Sequence, residues 1–255
     1  MAEAPRPASL ITGASAGLGA EFARQCAARG DEIVLVARRR DRLDALAREI
    51  GPQAHVIEAD LGEPEAPARL MSGAARRGLW VRTLINNAGF GLAGRFDELP
   101  LERQIDMVDV NVRALTHLSH AVLADMRPRR DGAILNVAST AAFQAGPHMA
   151  VYYATKAYVL SFTEALHEEL KGSGISVTAL CPGPTATEFF DVAGTPDGRL
   201  ARMATDPVAV VRAGLEGLAK NKAVVIPGVA NKVGAQSSRL LPRALMRRIV
   251  ARIKA

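Results

Sequence analysis

Short apolar runs recur along this 255-residue chain, each followed by a stretch with helical spacing of apolar and polar positions. The runs are Ala8 to Ile11, Glu32 to Ala37, Ala54 to Glu58, Thr83 to Asn86, Gly132 to Ala138, Ile175 to Leu180 and Ala223 to Ile226. The clearest, EIVLVA, shows no internal alternation, as expected of strands buried on both faces of a parallel sheet. Between them, Leu18 to Arg29 carries Leu18, Phe22 and Cys26 on one helical face. Asp41 to Ile50 does the same with Leu43, Leu46 and Ile50. Further helices are predicted over Pro64 to Arg77, Leu101 to Met126 (with an irregular start), Ala150 to Lys171 and Pro207 to Ala219. Strands separated by helices predict an α/β fold, a parallel sheet covered on both faces.

Composition adds little against this picture and excludes several classes. At 49% hydrophobic and 23% charged, the chain is an ordinary globular protein. Its two cysteines, Cys26 and Cys181, make neither a disulfide framework nor a zinc spacing, so no metal site is expected. The start, MAEAPRPAS, lacks a secretory apolar core, and no run approaches the roughly 20 apolar residues of a spanning helix. A cytoplasmic location is the expectation. No linker or repeat marks a second domain, so residues 1–255 are read as one domain.

Charge is distributed unevenly. The chain carries +6, yet no acidic residue follows Glu216 while nine basic ones do, so residues 1–216 sum to −3. The basic tail, Asn231 to Ala255, is expected to form an amphipathic helix with Leu241, Leu245, Ile249 and Ile253 at helical spacing. A second distinct region, Pro182 to Asp206, is rich in Gly, Pro and Thr, with Phe189 and Phe190 in its middle. It follows a strand end, where open α/β sheets bind ligands.

Candidate chemistry begins at Thr12 to Gly19, TGASAGLG, between the first strand and the first helix. Gly13, Gly17 and Gly19 allow a tight turn and close approach of a pyrophosphate to a helix N-terminus. The alternative is a glycine turn that binds nothing. The second strand ends in Ala37 and then Arg38-Arg39-Arg40, with no acid before Asp41. An acid there would accept from a ribose 2′-OH, whereas arginine suits the 2′-phosphate of NADP. Arg38 is the preferred phosphate contact, helped by Ser15; the other arginines are read as solvating the next helix. Farther on, VYYATKAYV sets both Tyr152 and Tyr153 beside Lys156 on one helix.

Here the chain resembles the short-chain dehydrogenase/reductase family. TGASAGLG, NNAG at Asn86 to Gly89, Asn111, Ser139, Tyr152-x-x-x-Lys156 and Pro182-Gly183 occur in the family's order, over nearly the whole chain to about Gly228. The resemblance implies a Rossmann-type doubly wound parallel sheet of about seven strands. It selects Tyr152 over Tyr153 as the acid/base, with Ser139 orienting the carbonyl, Lys156 holding the nicotinamide ribose, and Asn111 anchoring a relay water. Gly13, Ser15, Gly17, Leu18 and Gly19 would cradle the cofactor. Asp60 and Leu61 would flank the adenine, Asn87, Ala88 and Gly89 would lie along the adenosine side, and Pro182, Gly183 and Thr187 would meet the nicotinamide. Asn86 and Asn87 are not separated by role. A nearby ammonium is expected to lower the phenol's pKa from about 10.

The implied reaction is hydride transfer between NADP(H) and a carbonyl or secondary alcohol. A non-catalytic NADP(H)-binding regulator, and an epimerase or dehydratase, are the alternatives. Phe143, Met149, Phe189, Phe190 and Val192 predict an apolar pocket wall and a lipophilic substrate, with His148 and Cys181 as further wall. The resemblance implies a homodimer or homotetramer through the Leu101–Met126 and Ala150–Lys171 helices. The tail admits three readings: a solvated helix covering the sheet's end, a weak contact with an anionic membrane surface, or attraction of an acidic carrier or phosphorylated ligand. Nucleic acid is not expected, since aromatic residues are not interleaved with the basic ones.

Overall fold

The computed structural model describes residues 4–194, 205–240 and 242–254. Seven strands, β1 (Arg6–Thr12), β2 (Glu32–Ala37), β3 (Ala54–Glu58), β4 (Leu79–Asn86), β5 (Gly132–Val137), β6 (Ile175–Leu180) and β7 (Val224–Val225), form one parallel sheet in the order β3-β2-β1-β4-β5-β6-β7. This is a Rossmann-type single domain with helices on both faces.

The continuous apolar strands are explained by the two-sided burial. In β2, Ile33 and Leu35 join one core while Val34 and Val36 join the other. Leu10 and Ile11 in β1, Leu84 and Ile85 in β4, and Ile134 and Leu135 in β5 divide in the same way. One core is closed by α1 (Gly17–Ala27), α2 (Arg40–Ile50) and α8 (Pro207–Ala219), through Phe22, Leu43 and Leu215. The other is closed by α3 (Ala66–Ala75), α5 (Leu115–Arg129) and α6 (Ala150–Glu169), through Leu70, Leu118 and Leu166. Fully burying side chains of this size stabilises by about 1.5–3 kcal/mol each.

Two expected elements differ. The long helix begins regularly as α4 (Leu101–Val108); its irregularity is a π-helical turn, Asp109–Ala114, between α4 and α5. The tail is not one helix over 231–255. It is two, α9 (Val229–Leu240) and α10 (Arg243–Lys254), with Pro242 between them. Proline has no N–H to donate and clashes with the preceding turn, so the helix cannot run through. Leu241 and residues 195–204 of the glycine-rich loop lie outside the described residues, as do the side chains of Phe190 and Ile253. The rest of that loop includes a short helix, α7 (Phe189–Val192).

The sheet has its switch point between β1 and β4, where connections run off in opposite directions and leave a crevice at the strands' carboxyl ends. Thr12 ties that point together. Its hydroxyl donates to the Ile85 carbonyl (3.3 Å) and accepts from the backbone N–H groups of Asn87 (3.0 Å) and Ala88 (2.9 Å). The Asn87 side-chain amide donates to the Thr12 carbonyl at 2.8 Å. Thr12→Val keeps the shape and removes the acceptor, leaving the Ala88 N–H unpaired at about 1–3 kcal/mol, while the Asn87 N–H keeps its bond to the Ile85 carbonyl. Urea denaturation should show a loss of that order, accompanied by weaker cofactor binding in fluorescence titration.

Candidate active site

The crevice opens into a cavity of about 660 Å³. Every site residue expected from the sequence lines it except Gly19 and Asn111, which stand behind its wall. The glycine turn is shaped by need. Gly13 has φ +67°, and a Cβ there would lie 2.9 Å from the Ala88 Cα. At Gly19 a Cβ would collide with the Gly13 carbonyl oxygen, so the helix could not sit so close to the turn. Ala16, at the N-cap of α1, has no side chain that can satisfy the first N–H groups of the helix. Those donors and their partial positive charge suit a pyrophosphate.

At the end of β2 the three arginines behave differently. Arg39 donates to the Ser15 hydroxyl (3.2 and 3.1 Å) and to Glu188 (2.9 Å). Arg42 also binds Glu188, and the two cations hold that carboxyl below its ordinary value. Among the described residues Arg38 has only a loose 3.8 Å contact with Asp60, and it is largely exposed while lining the cavity. Ser15 is thus tied to Arg39 rather than to Arg38. Asp60 accepts from the Gly62 N–H at 2.9 Å. The residues present fit a dinucleotide: a crowded glycine turn, an uncapped helix start and an arginine that, among the described residues, keeps most of its donors free.

The opposite end holds the titratable groups. Lys156 is buried and donates to the Val137 carbonyl at 2.8 Å. Burial lowers its pKa to about 8. Its ammonium lies 5.9 Å from the centre of the Tyr152 ring. Tyr152 was expected to be acidified by this lysine. Instead its pKa is pushed up to about 12, because burial disfavours the phenolate more than the hydrogen bond with Ser139 favours it. The phenol is therefore a firmly protonated acid at neutral pH. Ser139 also accepts from the Ala141 N–H at 3.1 Å, which fixes its side chain.

Tyr153 lines the cavity as well, with its ring 6.0 Å from that of Tyr152 in an edge-on arrangement. Ser139 lies close enough to favour the Tyr152 phenolate, and the Lys156 ammonium lies over the Tyr152 ring. Asn111 is carried on the π turn and is fully engaged. Its amide donates to the Phe90 carbonyl (3.0 Å) and to Thr155 (3.1 Å), and its oxygen accepts from the Phe90 N–H (3.1 Å). Asn86 and Asn87 are separated by the fold. Asn87 turns to Thr12, while Asn86 turns to Ser119 (3.1 Å) and Asn136 (2.9 Å) inside the domain.

The apolar wall is partly as expected. Met149, Phe189 and Val192 line the cavity, and Phe189 packs 5.3 Å from the Tyr152 ring. Phe143 does not reach it; the short 3₁₀ turn Thr140–Phe143 directs it onto the separate cluster of Leu115, Ala138, Val159 and Leu160. Cys181 is buried with its thiol pushed up to about 12, so it is inert packing rather than cavity wall. His148 lines the cavity at φ +64°, a strained backbone for a side chain of its size. Thr12, Thr155 and Val250 of α10 were not anticipated. Thr12 was visible as the residue before Gly13, but nothing local marks a tail residue that returns to the cavity.

Comparisons with known proteins agree with this geometry. The sequence model of the short chain dehydrogenases matches residues 8–196. A sulfoacetaldehyde reductase of Chromohalobacter salexigens is 38% identical over 188 residues, covering 71% of this chain and 73% of that protein. A 7β-hydroxysteroid dehydrogenase of Collinsella aerofaciens is 32% identical over 230 residues, covering 88% and 86%. The solved structure of a short-chain dehydrogenase from Sphingobium yanoikuyae in complex with NADPH is 35% identical, with a TM-score of 0.81 over 94% of this chain and 95% of that chain. With the fold, the glycine turn and the Ser139–Tyr152–Lys156 grouping already in place, these matches show that the chain belongs to the short chain dehydrogenase family, oxidoreductases that bind a nicotinamide cofactor.

Proposed function

We propose that the protein is an NADP(H)-dependent reductase or dehydrogenase acting on the carbonyl or secondary alcohol of a lipophilic substrate. One observation carries the reading: Ser139, Tyr152 and Lys156 meet at one end of a cavity whose other end is the glycine turn and Arg38. The relatives named above act on compounds as different as a small sulfonated aldehyde and a steroid, so the substrate class rests on this chain's own wall. Phe90, Met149, Phe189, Val192 and Val250 line it. The regulator alternative has no observation in its favour, since all three reactive side chains are present and converge.

A nicotinamide cofactor bound in the crevice would supply or accept the hydride. Ser139 donates to the substrate oxygen and holds it in line with Tyr152. In reduction Tyr152 gives its proton to that oxygen; in oxidation it takes the proton back. Lys156, held against the Val137 carbonyl, places a positive charge beside the phenolate that develops, and that charge matters more in a dry site than in water. Asn111 uses its amide to lock Phe90 and Thr155 in place, so a relay water would rest on its backbone carbonyl. Arg38 would meet the 2′-phosphate, while Arg39 keeps Ser15 and the turn in position. The chain also self-associates on this reading. Helix α4 leaves Leu101 62% and Ile105 52% exposed, with Val108 one turn further on the same stripe.

Tyr152→Phe should lower kcat for ketone reduction by about 10²-fold or more, while Tyr153→Phe should stay within about tenfold of the parent. The reverse ranking would transfer the acid/base role to Tyr153. Arg38→Ala should narrow the NADPH-to-NADH ratio of kcat/KM by about tenfold, the order of one charge-assisted hydrogen bond. An unchanged ratio would move the phosphate contact to Arg39. Because Lys156 loses its proton above about 8 while Tyr152 keeps its own to about 12, reductive kcat should hold near neutrality and fall above pH 8. A profile flat to pH 10 would remove Lys156's charge from the mechanism.

A further inference from the structure

Helix α10 has two unlike surfaces. At ~100° per residue, Leu245, Ile249, Met246 and Val250 fall on one apolar arc. The inner half of that arc is used: Val250 is buried against the cavity and Met246 packs beside it, in the cluster that contains Met149, Tyr152 and Tyr153. The outer half stays partly exposed among the described residues. Leu245 is 45% exposed and Ile249 37% exposed. Arg243 and Arg247 border the arc on one side and Arg248 on the other, all exposed. The preceding helix repeats the theme, with Val229 and Val233 exposed one turn apart beside Lys232.

We propose that the α9–α10 tail docks the protein on an anionic lipid surface, with the substrate end of the cavity closed by the same helix that touches the lipid. Charge complementarity selects this occupant. Nine basic residues and no acidic one follow Glu216, on a body that is otherwise slightly negative. A second copy docking its α10 against this one would bring like charges together. Bare nucleic acid would leave the exposed leucine and isoleucine without a role. An apolar stripe flanked by arginines is what lies in a bilayer interface, with the aliphatic stems buried and the charged ends in the headgroup layer.

The test is cosedimentation of the full chain with phosphatidylcholine vesicles, with and without phosphatidylglycerol. Binding should require phosphatidylglycerol and weaken with salt. Each arginine near an anionic surface is worth about fivefold in partitioning, so the triple variant Arg243→Gln, Arg247→Gln, Arg248→Gln should bind roughly a hundredfold more weakly. The double variant Leu245→Gln, Ile249→Gln should also bind weakly, with NADPH affinity unchanged in both variants. Equal binding to neutral vesicles, no binding at all, or indifference to the Leu245 and Ile249 changes would overturn the proposal. A concentration-dependent dimer lost in the double variant, with vesicle binding intact, would assign the stripe to self-association instead. None of these readouts uses turnover, so they stand apart from the assignment of the reaction.

Discussion

The site depends on the reversal of connection at the centre of the sheet. Parallel strands must be joined by crossovers, and where the crossovers part between β1 and β4 the sheet cannot be roofed. The crevice that results exposes backbone at two strand ends. Thr12 and Asn87 settle that exposure by exchanging hydrogen bonds across it. The same tie brings Ala88 against Gly13, which is why only glycine fits there. Cofactor turn, strand ends and polar staple are therefore one arrangement.

At the other end of the cavity the governing effect is desolvation. Burial moves Lys156 and Tyr152 in opposite directions, to about 8 and about 12, because in each case it disfavours the charged form. A charged lysine is kept there by the Val137 carbonyl, and a neutral phenol by its own surroundings. Residues with no reactive group hold this geometry. Thr155 and Asn111 lock the start of α6 to the loop after β4, and Asn86, Asn136, Thr163 and Ser119 join β4 and β5 to α5 and α6. These bonds tie the helix that carries Tyr152 and Lys156 to the strands beneath it, although the Asn86 side-chain oxygen is buried with no partner among the described residues.

Much of this was legible in the chain. Unalternating runs such as EIVLVA announced strands buried on both faces, and the two cores divide their residues accordingly. The glycines, the arginines after β2 and the Tyr152–Lys156 spacing lie within single local elements, so their sequence order reports their geometry. Local pattern fails where a competing local rule intervenes. Pro242 was present in the tail and divides the expected single helix. The expected acidification of Tyr152 failed for another reason. Spacing on a helix gives proximity to a lysine but not the depth at which both are buried.

By itself, then, the sequence determined the layered parallel sheet, the glycine turn at the first helix and the Tyr152–Lys156 pairing on one helix. These follow from periodicity and short spacings, which backbone geometry converts directly into position. Only the tertiary structure decided that Arg39 rather than Arg38 holds Ser15, that Phe143 leaves the cavity while Val250 enters it, and that Asn86 and Asn87 face opposite ways. Each of these is a contact between residues distant in the chain or a choice between adjacent ones. Packing of the whole domain sets them, because burial and polar pairing must be satisfied together at every position.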